Sequence, residues 1–538
     1  MANTKKYILL LLLFWMNLAY SQNCDLQISG QVFDRDEDTP LSFANILVEE
    51  LSIGAVSDEQ GQFVLEDLCA GDYHLRITHL GCHPERQFIR LTADTSLLVQ
   101  LDHQAEFLEG VIVEAERDRS IGQNQQGLSR QELEQGGGTN LGTLVSSIAG
   151  VSSLKNGSGI SKPVIHGLTG NRVAILNNGL VQAGQQWGAD HAPEIDPFTA
   201  DRVTVIKGVE SIAYGGNTLG GAVSVEPGEI AKDPHLHGAA QYVLETNGWQ
   251  HTLSSRLEKS GRLADWRVVG TVKQGGDHQT PAYYLRNTGV RERSIAGQLH
   301  KTIGESWYNT VYYSYFHLNI GVLRGSHIGN LTDLENAIGR SEPFFTVDTF
   351  TYKLEEPRQR VGHHLFKYNS KYFLTPDQFL EFTYGIQVNH RQEFDVRRGE
   401  RSDRPALDLK LYSHFIDFHW QNEKRNTQRK IGLQARFNEN DNQANTGVLP
   451  LLPDYESAVL AAYFIWSGSG EWLDWQLGGR YDYNQLGVAA ISRDLPRRVE
   501  FFDHQFSQFS LAGGLEKSWN EHWYMKFNIG WTERAPEV

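Results

Sequence analysis

Over much of its length the chain alternates apolar and polar residues with a period of two, the spacing of strands whose two faces meet different surroundings. The pattern is plainest after residue 235. In EFTYGIQVN, Phe382, Tyr384, Ile386 and Val388 alternate with Glu381, Thr383, Gly385, Gln387 and Asn389. WQLGGRYDY and YMKFNIGW repeat it with Trp475, Leu477, Tyr481 and Tyr483, and with Met525, Phe527, Ile529 and Trp531. A water-facing sandwich alternates in this way, and so does a transmembrane β-barrel, with apolar residues toward lipid and polar ones toward the lumen. The length of the tract and the aromatics at its strand ends (Trp472, Trp523, Tyr524) favour the barrel.

Two other textures precede it. From Gln27 to about Leu101, the segments ISGQVFD, ANILVEE, GQFVLED, YHLRITHLG, RQFIRLT and SLLVQL are short strands broken by Gly, Pro and Asp turns, which predicts a small β-sandwich. From Gln131 to Pro227 the pattern is mixed. Thr139 or Asn140 caps a helix with Leu141, Leu144, Val145 and Ile148 on one face, closed by Gly150. Strands follow at KPVIHGL, RVAILNNGL, DRVTVIKG and GAVSVEP. The glycine-rich YGGNTLGG lacks the Lys-Ser/Thr of a phosphate loop, so its glycines are read as tight turns and close backbone approach. Between these regions, LEGVIVEAERDRSIGQNQQ has no core-forming pattern and reads as a linker. Its apolar patch, Val111, Ile112, Val113, Glu114 and Ala115, is either a last strand or spacer, or a segment that pairs with another protein's sheet edge.

Composition narrows the class. Lys5, Lys6, the run YILLLLLFWMNLAY and the small residues Ala19 and Ser21 form a cleavable secretory signal; its apolar core is shorter than the roughly 20 residues of a spanning helix. With 65 Asp+Glu against 49 Lys+Arg, the chain has no electrostatic basis for binding nucleic acid. Of the three cysteines in an exported chain, Cys24 and Cys69 are the expected disulfide and Cys82 the free thiol, although three cysteines permit other pairings. The expectation is therefore a mainly β protein: signal peptide 1–21, β-sandwich 22–104, linker 105–126, a small α/β domain 127–230 and a barrel 231–538.

GTLVSSIAGVSSLKNGSGISKPVIHGLTGNRVAILNNGLVQ followed by VTVIKGVESIAYGGNTLGGAVSVEP resembles the plug domain of TonB-dependent outer-membrane receptors. The matching positions are Gly150 and Val151 after the helix, His166 and Gly167 where many members carry Arg-Gly, Asn171 and Arg172 of the N-R-V strand, and Tyr214, Gly215, Gly220 and Gly221. The histidine at 166 removes any role borrowed for that arginine. SGQVFD through YHLRITHLG is similar to the carboxypeptidase-regulatory-like domain that precedes some plugs, a module without catalysis. The resemblance implies an outer-membrane location, a periplasmic amino-terminal domain, a TonB box at Val111–Ala115 and a TonB-type energy-transducing partner. It also implies about 22 barrel strands, more than residues 235–538 supply, so the chain is read as part of a longer receptor.

The densest chemistry lies in GQQWGADHAPEID, Gly184 to Asp196. The resemblance places it as an apical loop facing cargo, and D-H-A followed by an acid is similar to the zinc-uptake branch. Imidazole and carboxylates are ligands that Zn2+ takes. Asp190 and His191 are adjacent, so in an extended stretch they point apart, and sharing an ion requires a turn at Gly188 or Pro193 or ligands from elsewhere. Glu194 and Asp196 are either further ligands or caps of the next turn, and Trp187 packs on the wall. His235 and His237 in PHLHG, and His327 in a loop, complete the candidate metal ligands; His278 is a further loop histidine, and His363 and His364 share a strand on opposite faces and read as structural. The functional expectation is active uptake of a transition metal or its small complex, zinc first, with no resident cofactor. A ferric siderophore receptor is the alternative, a non-transporting surface binding or signalling protein comes next, and an enzyme ranks far below because no nucleophile–base pair or H-E-x-x-H is present.

Overall fold

The computed structural model describes residues 24–35, 39–51, 53–79, 82, 84–101, 126–157, 159–185, 191, 193–323, 330–342, 344–397, 399, 401–424, 426–470, 472–519 and 523–538. The segment 1–21 expected to be a signal, Val111–Ala115, Trp187, Asp190 and His327 lie outside the described residues. The chain divides into two compact units, residues 1–115 with 231–235, and residues 116–230 with 236–538.

In the first unit, Leu26–Asp34 sits between Gln62–Leu68, antiparallel to it, and Thr95–Leu101, parallel to it. A second sheet is ordered Ile53–Val56, Asn45–Val48, Gly71–Thr78, Glu85–Leu91. The inward positions of both sheets, among them Ile28, Val32, Ile46, Phe63, Tyr73, Leu75 and Leu101, form one buried core, as period-two strands require of a sandwich. Cys24 and Cys69 are joined by a disulfide, and Cys82 is a buried thiol.

The second unit contains a small α/β domain and a large sheet. The small domain is built on a five-stranded sheet ordered Leu180–Val181, Val173–Asn177, Gly221–Glu226, Arg202–Ile206, Gln126–Ser129. The Val173–Asn177 and Gly221–Glu226 strands are parallel and the remaining pairs antiparallel. Gln126–Ser129, expected to begin in the linker, is drawn into the sheet by pairing with Arg202–Val205. Asn140 is the N-cap of Leu141–Leu144, accepting from the Thr143 amide at 3.0 Å, and Leu141, Leu144, Val145 and Ile148 are all buried. The helix is short because a 3-10 turn takes over at Val145–Ser147 and Gly150 turns the chain at φ +77°.

YGGNTLGG is a turn system. A Cβ on Gly221 would lie 2.7 Å from the Ile206 carbonyl oxygen, and its φ is +115°. Gly221→Ala is therefore expected to destabilise this domain by about 1–3 kcal/mol, read as a lower urea midpoint with unchanged slope.

The large sheet has 13 strands, from His237–Glu245 to Tyr524–Thr532, each antiparallel to its chain neighbour. Its first and last strands have one partner each among the described residues. The faces are inverted relative to a soluble sandwich. Thr383, Gln387, Asn389, Arg391, Arg480 and Asp482 are buried, while Leu253, Ile295, Leu433, Leu460 and Trp531 are exposed. The polar face encloses the small domain, and the apolar face is left for a surrounding that is not water. No helix among the described residues is long and apolar enough to cross a membrane.

The strand connections are also asymmetric. At one end they are brief, as at residues 304–306, 376–377 and 425–426; at the other they are long, as at 276–289, 322–357 and 395–406.

Candidate functional site

The loop from Gly184 to Asp196 leaves the Leu180–Val181 strand and ends in a 3-10 turn at Pro197–Thr199. One wall strand, Gln378–Phe394, reads it. Successive inward positions of a strand lie two residues apart, and here Gln387, Asn389, Arg391 and Glu393 meet the small domain in turn. The Gln387 amide receives a bond from the Ala183 N–H (2.9 Å) and donates to the Val181 carbonyl (2.9 Å). Asn389 and Arg391 each donate to the Glu194 carboxylate. Glu393 Oε1 lies 2.6 Å from His191 Nε2. Inside the loop, Gln182 donates to the Glu194 carbonyl at 3.1 Å, and Lys162 to the Gln185 carbonyl at 3.1 Å.

Glu194 is the anchor of this arrangement. Its side chain and that of Arg391 are each 1% exposed. The His363 ring, from the neighbouring Arg358–Thr375 strand, stands 3.3 Å from the Glu194 carboxylate and contacts Gln387 and Asn389 at 3.1 and 2.9 Å. Burial by itself raises the Glu194 pKa, but the Arg391 guanidinium and the His363 ring outweigh it and hold the carboxyl below its ordinary range. Asp196 caps the following turn, accepting from the Phe198 amide at 3.0 Å, and takes a further bond from the Ser294 hydroxyl. Of the loop acids, then, one is committed to a buried ion pair and one to a cap.

His191 stands apart from these. Its side chain is 13% exposed and that of Glu393 is 30% exposed, so the pair sits at the edge of the enclosed region. Glu393 is one residue from the end of its strand, where the long 395–406 connection begins. The imidazole–carboxylate pair therefore lies at the end of the sheet that carries the long connections. Asp190, adjacent in sequence, is outside the described residues.

A second ionic cluster marks the opposite end. Asp201 of the small domain accepts from Arg256 in two bonds, one of 3.1 Å, and lies 3.2 Å from Arg267; both arginines also hold Glu258. Burial raises the Asp201 pKa and the two guanidiniums more than reverse this. Arg267 also donates to the Gly228 and Glu229 carbonyls (2.8 and 2.9 Å), fixing the chain as it leaves the small domain near the short 260–264 connection.

The remaining sequence candidates are dispersed. His166 is exposed at a hairpin tip with φ +50°, followed by Gly167 at +78°. Asn171 and Arg172 lie in a 3-10 turn, where the Arg172 carbonyl accepts from the Gly220 amide at 2.8 Å. Tyr214 is buried, which pushes its hydroxyl pKa up. His237 opens the first wall strand opposite Glu258. His235 belongs to the other unit, where its Nε2 lies 2.7 Å from the Cys69 sulfur. His363 and His364 do point to opposite faces. The contact of His363 with Glu194, and the roles of Gln387, Asn389, Arg391 and Glu393, carry no local signal in the sequence.

Comparison with known proteins agrees with this architecture. Residues 28–113 match the CarboxypepD_reg-like domain family, and residues 117–222 match the TonB-dependent Receptor Plug Domain family. Similar solved structures include the alcaligin outer-membrane receptor FauA from Bordetella pertussis (15% identity, TM-score 0.54, 75% of this chain and 61% of that one). The copper transporter OprC (14%, 0.53, 70% and 57%) and the ferric-catecholate import receptor Fiu from E. coli K12 (12%, 0.60, 77% and 70%) have the same fold. The chain spans about three fifths of the length of the first two. The matched structures are receptors and transporters, not enzymes.

Proposed function

We propose, for a chain that carries a TonB-dependent receptor plug behind a CarboxypepD_reg-like domain, that it takes up a transition-metal ion or its small complex across the outer membrane, with zinc as the preferred cargo. The observation that carries this reading is the His191–Glu393 pair, one ligand from the plug loop and one from the wall, 2.6 Å apart at the end with the long connections, which outer-membrane barrels turn outward. An imidazole and a carboxylate suit a borderline divalent ion, and Asp190 is the next ligand in sequence. Cargo bound here bridges loop and wall. The receptor performs no covalent chemistry: binding selects the cargo, the Val111–Ala115 segment pairs with a TonB-type energising protein in the periplasm, and external work displaces the plug.

A cavity of about 190 Å3, bordered by Arg436, Arg480, Tyr214, Phe415 and Tyr455, favours a second reading, an anionic organic chelate such as a ferric siderophore. Asp482, paired with Arg480, and Glu537 also line it; the arginines and aromatic rings are the chemistry such a cargo uses.

Calorimetric titration of Zn2+ into the oxidised full chain separates these readings. Saturable binding of one ion, weakened at least about tenfold by His191→Ala and by Glu393→Gln, or about 1.4 kcal/mol each, is the expected result. Binding that neither variant alters, or none, removes the pair as the capture site and leaves the chelate reading.

A further inference from the structure

The amino-terminal unit brings together three metal-ligating side chains from distant points in the chain. The Cys24 sulfur, the Cys69 sulfur and the His235 Nε2 lie within 4.8 Å of one another. Here the two sulfurs form a disulfide. The His235 Nε2 stands 2.7 Å from the Cys69 sulfur and 3.8 Å from the Cys24 sulfur. Tetrahedral zinc, with bonds of about 2.3 Å to sulfur and about 2.0 Å to nitrogen, holds adjacent S and N ligands about 3.5 Å apart. The observed separations bracket that value.

The ring is also oriented as a ligand. Asp233 Oδ1 lies 2.6 Å from His235 Nδ1 and accepts from the His235 backbone amide at 2.9 Å. A carboxylate on Nδ1 fixes the tautomer that presents a basic Nε2, the usual support of a metal-bound histidine. Asp233 is buried, and the Tyr73 hydroxyl donates to the Cys69 carbonyl at 2.9 Å, holding that ligand from behind.

We propose that Cys24, Cys69 and His235 form a redox-exchangeable staple: a disulfide when oxidised and a Cys2His site for Zn2+ when reduced, with a fourth position open to solvent. A dithiol reductant delivers two electrons and two protons to the disulfide, giving two thiols, and is itself oxidised to a disulfide. Zn2+ then binds both sulfurs as thiolates, releasing their two protons to solvent, and takes the neutral His235 Nε2 as third ligand. In either form, residues 24 and 69 stay tied; only the zinc form adds residue 235 through a bond. The site is separate from the cargo pair and does not depend on the uptake reading.

Co2+ titration of the full chain, oxidised and after dithiol reduction, tests this, because thiolate ligation gives a sulfur-to-cobalt charge-transfer band that His and carboxylate sites lack. The expected result is one tetrahedral Co2+ with that band in the reduced chain, displaced by Zn2+ and missing in the oxidised chain. Asp233→Asn, which keeps all three ligands, should weaken binding about 10- to 100-fold, and His235→Ala at least as much. A reduced chain without the band, or affinity unchanged in both variants, overturns the proposal.

Discussion

Glu194→Ala should lower the stability of the plug within the barrel by about 3–5 kcal/mol, the cost of leaving a buried charge without its partner. Arg391, 1% exposed, would keep its guanidinium in a site from which water is excluded, with His363 beside it. With a urea slope of about 1–3 kcal/mol/M, the midpoint should fall by at least about 1 M. Adding Arg391→Ala should recover part of the loss, since two coupled partners do not add; simple additivity of the two variants would show that the pair is not coupled. Acid should act through the same carboxyl. Its folded pKa is depressed by Arg391 and His363 against the opposing effect of burial, so its contribution is complete above the unfolded value of about 4.3 and is lost as pH falls through the lower folded value. Urea titrations at descending pH should show this decline, and Glu194→Gln should flatten it.

Leu433→Arg should cost about 2–4 kcal/mol of barrel stability in a lipid bilayer, the range for a basic residue on the lipid face near mid-depth. Leu433 is 62% exposed, and its neighbour Gln434 points the other way, donating to Asp417 and to the Ala213 carbonyl of the plug. Folding into vesicles, followed by urea titration, measures the cost. A variant as stable as the parent would mean that this face meets water and that the alternation belongs to a soluble sheet.

The architecture was legible where it depends on periodicity. Phe382, Tyr384, Ile386 and Val388 announce a strand and also its apolar face, because in a period of two the assignment of one residue orients the rest. Gly221 was legible as a turn glycine, and the D-P-F-T sequence at Asp196 carries its cap. What could not be read is whatever depends on register between distant segments. Arg391 looks like any lumen-facing arginine until strand pairing and plug seating bring it to Glu194, 197 residues earlier. Gln126–Ser129 is too short and polar to declare itself, and becomes a strand because Arg202–Ile206 offers it an edge. His235 and His237, two apart and both candidate ligands, look like neighbours, yet the chain divides between them and assigns each to a different unit.

The inverted faces of the barrel have a mechanical consequence. A plug sealed by apolar packing would resist extraction in proportion to the area pulled into water. This plug touches its wall partly through apolar packing, Ile160 against Phe316 and Leu180 against Leu365, and partly through amides, hydroxyls and carbonyls, such as Gln387 with Val181 and Ala183, and Gln434 with Ala213. Each polar contact can be exchanged for water at a net cost of about 0.5–1.5 kcal/mol. Force applied to one end of the plug would thus meet, among the described residues, weak wettable attachments, the apolar contacts, and two buried ionic groups, the Glu194–Arg391 pair near the end of the long connections and the Asp201 cluster near the other. Whether those two rivets lie in series or side by side along the direction of pull then decides whether they yield one after the other or share the load.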